Sequence, residues 1–330
     1  MLHVVLLLGC AVTIYLACEA FVNAVEWLGV RMRVGPVAVG TVLAAVGTAL
    51  PESVVTLVAV LYGGHDGKAI GVGAALGGPL VVGTLAYAVV GGMLLLRHGG
   101  TGVASLDGTD LPGLARDQTW FLSVFVVKIG LGLVAFAIKP LFGVVFLIVY
   151  ALYAAREVRG TGEQASDEGL EPLTFQRGRA VPTTAAVVTQ TVVMLVVIFL
   201  ASQLFVAQLA WAGPALGLPP VVVALLLSPV ATELPEIMNA VIWVRQGKTS
   251  LALGNISGAM MIQATVPSAL GLLFTPWDFD TPLVLAGVAT LASVVYLLAL
   301  FRTGRVTPRR LLVAGLFYLA FAAALAVDLG

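Results

Sequence analysis

Ten stretches of this chain stay apolar for long enough to cross a bilayer, and they leave little of it for anything else. They fall at about 3–29, 35–62, 68–95, 119–137, 140–155, 183–212, 218–245, 249–274, 281–301 and 309–327. A spanning helix needs about 20 consecutive apolar residues. Inside hydrocarbon every backbone N–H and C=O must be paired within the segment, so runs of this length form helices. Only 10% of the residues are charged, against about 25% in a typical soluble domain. The expected fold is an all-α polytopic membrane protein of about ten transmembrane helices, with membrane lipid against its outer surface. The formal net charge is zero, so nothing points to a nucleic-acid partner.

Basic residues set the expected orientation. The odd-numbered breaks between runs hold Arg31, Arg33, Arg97, Arg116, Arg156, Arg159, Arg177, Arg179, Arg245, Lys248, Arg302, Arg305, Arg309 and Arg310, whereas the even-numbered breaks hold only Lys68 and Lys139. Lys and Arg concentrate in cytoplasmic loops. The odd breaks are therefore expected in the cytoplasm and both termini outside it. Arg far outnumbers Lys and the loops are short, which fits a bacterial inner membrane.

A shift of 184 residues lays the sequence over itself. Residues 12–52 fall on 196–236 without a gap, with 17 identities in 41 positions. Phe21 meets Phe205, Trp27 meets Trp211 and Pro36 meets Pro220; Thr48 meets Thr232, and Leu50-Pro51-Glu52 meets Leu234-Pro235-Glu236. After a three-residue difference in the next loop, Gly73 and Gly77 fall on Gly254 and Gly258. Five spans separate the copies, an odd number, so the second must lie upside-down relative to the first. The expected organisation is a five-helix repeat over 1–156, a cytoplasmic linker over 157–180, and a second, inverted five-helix repeat over 181–330. Inverted repeats place substrate sites near the midplane, where the copies meet.

The repeat carries charge where charge is expensive. A carboxylate at the centre of a span costs roughly 2.5–3.5 kcal/mol on insertion scales. Glu52 lies deep in the second run, and Glu233 and Glu236 lie deep in the seventh. Two glutamates brought to matching depth from opposite sides form a hard-oxygen site suited to Ca²⁺, Na⁺ or protons. Proline precedes both Glu52 and Glu236; it has no N–H and frees a carbonyl one turn earlier. Thr48 and Thr232 stand four residues before the glutamates, on the same helical face. Glu233 has no counterpart, because Ala49 takes its place in the first copy. It is three residues from Glu236, close enough for the two carboxylates to repel. Asn239, Asn255 and Gln263 are polar at membrane depth and within reach of the same region.

Gly47-Thr48-Ala49-Leu50-Pro51-Glu52 and Ala231-Thr232-Glu233-Leu234-Pro235-Glu236 resemble the paired signature of the sodium/calcium exchanger (cation/Ca²⁺ antiporter) superfamily. Gly254-Asn255-Ile256-Ser257-Gly258 is similar to that family's stretch on the following helix. The resemblance implies that Glu52, Glu236, Thr48 and Thr232 bind Ca²⁺. It also shows departures. The family serine after each threonine is Ala49 and Glu233, its later serine is Gly78 and Ala259, and its Asn or Asp one turn on is Val82 and Gln263. Most side chains the family uses for Na⁺ are therefore absent.

These readings predict an alternating-access antiporter that exchanges Ca²⁺ for Na⁺ or H⁺, with inorganic cations as its partners and no cofactor. A monovalent cation (Na⁺ or K⁺)/proton exchanger using the same carboxylates is the alternative. An enzyme is not expected: no HExxH zinc pair and no GxSxG turn is present. The expected metal-binding residues are Glu52, Glu236, Thr48, Thr232, Glu233, Gln263 and Asn239. Outside them, Glu26 is expected to snorkel to the cytoplasmic surface, and Lys128, inside the fourth run, needs a partner. His3, His65 and His98 read as solvated, Asp107 to Asp117 as a cytoplasmic linker, and Trp277-Asp278-Phe279-Asp280 as an interfacial anchor.

Overall fold

Apolar runs become helices whose ends are set by a few capping residues. The computed structural model describes residues 2–35, 38–62, 64–97, 109–134, 138–159, 170–215, 226 and 228–329. Among these the helices group into ten. α1 is Leu2–Met32; α2 opens with a π-helical turn, Val39–Ala44, and continues as Ala45–Tyr62. α3 runs Gly64–Val81, passes through a π-helical turn at Val82–Ala86 and ends as Tyr87–Arg97. α4 is Leu111–Leu133, α5 Lys139–Arg159 and α6 Thr184–Ala215. α7 comes in two pieces, Ser228–Thr232 and Leu234–Arg245. α8 is Thr249–Phe274, α9 Thr281–Thr303 and α10 Pro308–Leu329.

The largest departure from the expected boundaries is α4, which begins at Leu111 rather than near residue 119. Asp110 explains it: its Oδ1 accepts from the Gly113 amide at 2.9 Å, and Pro112 fits the first turn. Arg116 and Asp117 therefore lie inside the helix and not in a linker. Asp280 caps α9 in the same way, accepting from the Leu283 amide at 3.1 Å. Trp277-Phe279 is not a surface anchor. Trp277 is fully buried, its ring lies over Gly271, and its Nε1 donates to the Lys128 carbonyl at 3.2 Å. Lys139 donates to the Trp277 carbonyl at 3.2 Å and pairs with Asp278 at 2.9 Å, which fixes this loop against the end of α5.

The segment between the copies is only partly a free loop. Leu173 is buried, and the short turn Thr174–Gln176 docks on α1, where Trp27 Nε1 donates to the Glu171 carbonyl at 2.9 Å. Glu26 does not snorkel. It is buried, accepts from Trp243 Nε1 at 2.8 Å and pairs with Lys248. His3 is not simply solvated: it stacks on Trp211 with 3.7 Å between ring centroids and sits 2.6 Å from Gln208 Oε1. The side chain of His65 and all of His98 lie outside the described residues.

Seven helices among the described residues are long and apolar enough to cross a membrane. They comprise α1, the Val72–Arg97 part of α3, α5, the Thr184–Phe205 part of α6, α8, α9 and α10. α2 contributes the shorter apolar stretch Val39–Ala49. α4 carries Arg116, Asp117 and Lys128, and α7 is interrupted at Glu233.

The packing follows the repeat. α5 lies on α8, and its counterpart α10 lies on α3; α2 packs on α8, as α7 packs on α3. α1 pairs with α6 and α4 with α9, each being a helix and its own repeat mate. This is the pattern that two copies related by a pseudo-twofold axis produce. α8 is the most enclosed of the seven apolar helices.

Two equivalent glycines allow the copies to cross closely. A Cβ on Gly258 of α8 would stand 2.0 Å from the Thr41 carbonyl oxygen of α2. A Cβ on Gly77 of α3 would stand 2.6 Å from Pro229 Cγ of α7. Small residues at such crossings are how helices approach in a membrane. Gly258→Ala is expected to lose about 1–3 kcal/mol of stability through overpacking, read as a lower thermal midpoint of purified protein. Gly73→Ala, where nothing among the described residues lies within 4 Å, is expected to leave that midpoint in place.

Candidate cation site

The break in α7 places the carboxylates. Pro235 cannot donate to the carbonyl one turn back, and the chain leaves helical geometry for one residue at Glu233, with φ −86° and ψ 3°. It resumes when the Ile237 amide donates to the Glu233 carbonyl at 3.1 Å. Glu236 thereby sits in the first turn of the second piece, where unpaired amides and the helix dipole favour a negative charge. Both glutamates are buried, at 0% exposed for Glu233 and 1% for Glu236.

α8 brings two amides to them. Gln263 donates through Nε2 to Glu233 Oε2, and Asn255 donates through Nδ2 to the Glu236 backbone carbonyl at 3.3 Å. α3 closes the far side with a missing side chain. A Cβ at Gly78 would stand 2.9 Å from Glu233 Oε1 and 3.1 Å from Gln263 Cδ, so any larger residue there would push these side-chain ends aside. Glu233 thus fills the space left where the related pattern has a serine on α3.

Asn239 is fully buried one turn beyond Glu236, and neither its oxygen nor its nitrogen has a hydrogen-bond partner among the described residues. The same holds for Asn255 Oδ1 and Gln263 Oε1. An orphaned buried acceptor costs about 1–3 kcal/mol, and native interiors rarely keep several together. The oxygens of Asn255 and Gln263, whose amide nitrogens touch Glu236 and Glu233, form with the carboxylates a set of hard ligands for a cation.

The threonines are buried or half-buried, with their hydrogens committed locally. Thr48 Oγ1 donates to the Ala44 carbonyl and Thr232 Oγ1 to the Pro229 carbonyl, each at 3.1 Å. This back-bonding leaves the hydroxyl lone pairs as acceptors. Glu52 is helical in α2, four residues after Thr48, but its side chain lies outside the described residues. The structure therefore brings together Glu233, Glu236 and Gln263 of the expected set, and adds Asn255 and Gly78 beside them. Asn255 was legible as a polar residue at depth; Gly78 carried no signal beyond the serine missing at its position.

Buried carboxylates and amides at the crossing of two symmetry-related helix pairs, in an all-helical membrane fold, define an ion-transport protein. Comparisons with known proteins give the family. The model for sodium/calcium exchanger proteins matches residues 2–158 and 187–327. The chain belongs to the sodium/calcium exchanger family, a class of cation antiporters and not of enzymes. It is 25% identical over 303 residues to the inner membrane protein YrbG of Escherichia coli (strain K12), covering 90% of this chain and 88% of that protein. It is 26% identical over 277 residues to CaxA of Alkalimonas amylolytica, a protein named as an antiporter, covering 83% and 81%. In fold it matches the sodium-calcium exchanger NCX_Mj soaked with Na⁺ in zero Ca²⁺, with a TM-score of 0.75 and 18% identity over 98% of this chain and 99% of that one.

Gln263→Leu keeps the bulk at this position and removes the donor to Glu233. A hydrogen bond to a charged group is worth about 1.5–3 kcal/mol. Equilibrium cation binding to the purified variant is expected to weaken by roughly ten- to a hundredfold by that measure, with an unchanged size-exclusion profile.

Proposed function

We propose that this protein exchanges Ca²⁺ for Na⁺ or H⁺ by alternating access, with the divalent ion held between Glu52 and Glu236. The observation that carries the reading is the buried set of Glu233, Glu236, Asn239, Asn255 and Gln263 beside the Thr-x-Leu-Pro-Glu signature of α7. Glu52, Thr48 and Thr232 complete it by repeat symmetry, as the matching positions of the first copy and its partner. Glu233 and Gln263 stand where the exchanger pattern has serine and an acidic or amide residue. Glu233 either binds a proton during the cycle or adds charge for a second cation.

Proteoliposomes test this directly. ⁴⁵Ca²⁺ uptake is expected against an outward Na⁺ or an outward proton gradient, and is expected to vanish in Glu52→Gln and Glu236→Gln. Folded protein that moves no ⁴⁵Ca²⁺ under either gradient would turn the assignment to the monovalent cation/proton alternative. Glu233→Gln separates the two roles of Glu233: an unchanged pH dependence of transport would rule out the proton role.

The same reading makes residues 1–156 and 181–330 two inverted five-helix repeats joined by 157–180; the symmetric pairing of their helices supports it. The excess of basic residues in the odd breaks supports extracytoplasmic termini in a bacterial inner membrane. A phosphatase fused after the last residue is expected to be active in the periplasm, and an inactive fusion with a cytoplasmic tag reporting instead would reverse the orientation.

A further inference from the structure

Lys128 is a fully buried cation in mid-helix that the proposed cycle does not use. It is fully buried on α4, and an ammonium there is as costly as a carboxylate. Its Nζ donates to the Ala75 carbonyl of α3 and stands 5.0 Å from the centroid of the Phe125 ring. Among the described residues no carboxylate lies within salt-bridge distance of it. Helix geometry explains the choice of Ala75. Pro79 lies inside α3, four residues on, and has no N–H to give back to that carbonyl. A carbonyl opened by proline at this depth is a ligand that a bare cation would take. Here the protein supplies the cation.

The position matters because of what stands next to it. Ala75 and Gly78 are three residues apart, about one turn of α3, and Gly78 is the residue against which Glu233 Oε1 and Gln263 pack. The ammonium therefore caps the turn that forms one wall of the carboxylate site. The charges balance in the same way. Glu233 is an extra carboxylate, absent from the first copy, where Ala49 stands. Glu52, Glu233 and Glu236 with Lys128 carry three formal negative charges and one positive, which leaves the charge that neutralises a single divalent ion.

We propose that the Lys128 ammonium holds the place of one coupling cation. Glu233 and Lys128 together substitute for a bound Na⁺, so that Na⁺ is not needed at this position of the cycle. The proposal rests on the Ca²⁺ antiport reading and deepens it by accounting for the missing Na⁺ side chains.

The test is equilibrium binding of ²²Na⁺ and ⁴⁵Ca²⁺ to the purified full chain, as wild type and as Lys128→Gln, Lys128→Met and Lys128→Arg. Gln is neutral but still donates to the Ala75 carbonyl, Met is neutral and does not, and Arg keeps the charge. Both neutral variants are expected to bind one more Na⁺ per chain than the wild type, with Na⁺ affinity raised about tenfold or more. Lys128→Arg is expected to match the wild type. Na⁺ is also expected to raise the thermal midpoint of the neutral variants and not that of the wild type. Unchanged Na⁺ binding in both neutral variants overturns the proposal. So does a Lys128→Gln indistinguishable from wild type beside a defective Lys128→Met, which would make the lysine a carbonyl cap only. Neutral variants that Na⁺ fails to stabilise, or that cannot be purified in Na⁺ buffer, overturn it as well. A wild type that binds no ⁴⁵Ca²⁺ would instead count against the antiport reading.

Discussion

Burying Glu233 and Glu236 is the constraint to which the surrounding structure answers. A carboxylate removed from water persists only where hydrogen bonds, dipoles or cations replace its hydration. Each substitute has a visible source. The break at Pro235 sets Glu236 at a helix start. α8 contributes the Gln263 donor to Glu233 and steadies the Glu236 backbone through Asn255. α3 contributes the absence of a side chain at Gly78. These three elements can meet only because α8 crosses α2 at Gly258 and α3 crosses α7 at Gly77, so the close glycine crossings and the carboxylate site belong to one design.

Much of this was readable in the residues. The shift of 184 residues, the matching Leu-Pro-Glu strings and the apolar runs contain the ten-helix, two-copy architecture, because bilayer length and backbone pairing leave few alternatives to helices. α8 begins and ends where its hydrophobic run does, at Thr249 and Phe274. Errors came where a polar residue serves a helix instead of ending it. Asp110 and Pro112 start α4 eight residues before its apolar run, since capping chemistry acts upstream of hydrophobicity. Glu26 looked like a surface group from its position near a helix end. Its actual surroundings, Trp243 and Lys248, are more than two hundred residues away in sequence, and one-dimensional pattern does not carry such contacts. The Trp277 loop misled for the same reason: the groove at Gly271 that receives the ring exists only once α8 and α4 are packed.

The two copies are similar in scaffold and different in chemistry, and the differences concentrate at the site. Ala49 faces Glu233 in the repeat, Gly78 faces Ala259, and Val82 faces Gln263. At two of these three positions, Glu233 and Gln263, the polar side chain is on the second copy. Among the described residues, the π-helical turns at Val39–Ala44 and Val82–Ala86 each lie against a helix of the second copy, and Leu226, at the position matching Val42, is π-helical as well. Gly40 meets the Leu251 carbonyl at 2.8 Å from its would-be Cβ, and the Gly83 carbonyl accepts from Ser293 Oγ at 2.7 Å. Such turns shift carbonyls off the helical ladder and are frequent at functional sites.

That asymmetry bears on how such a scaffold changes its ion. If both copies contributed equal ligands, loss of a serine or an acidic residue would simply weaken a site. Here several of the departures answer one another. The serine missing at Gly78 makes room for Glu233, the residue that replaces Asn or Asp is the Gln263 that binds Glu233, and Pro79 beside Gly78 opens the carbonyl that Lys128 takes. Gly78, Glu233, Gln263, Pro79 and Lys128 fit one another across four helices. Departures from the exchanger pattern that touch one another in space, as Gly78, Glu233 and Gln263 do, fit an altered site better than a decayed one.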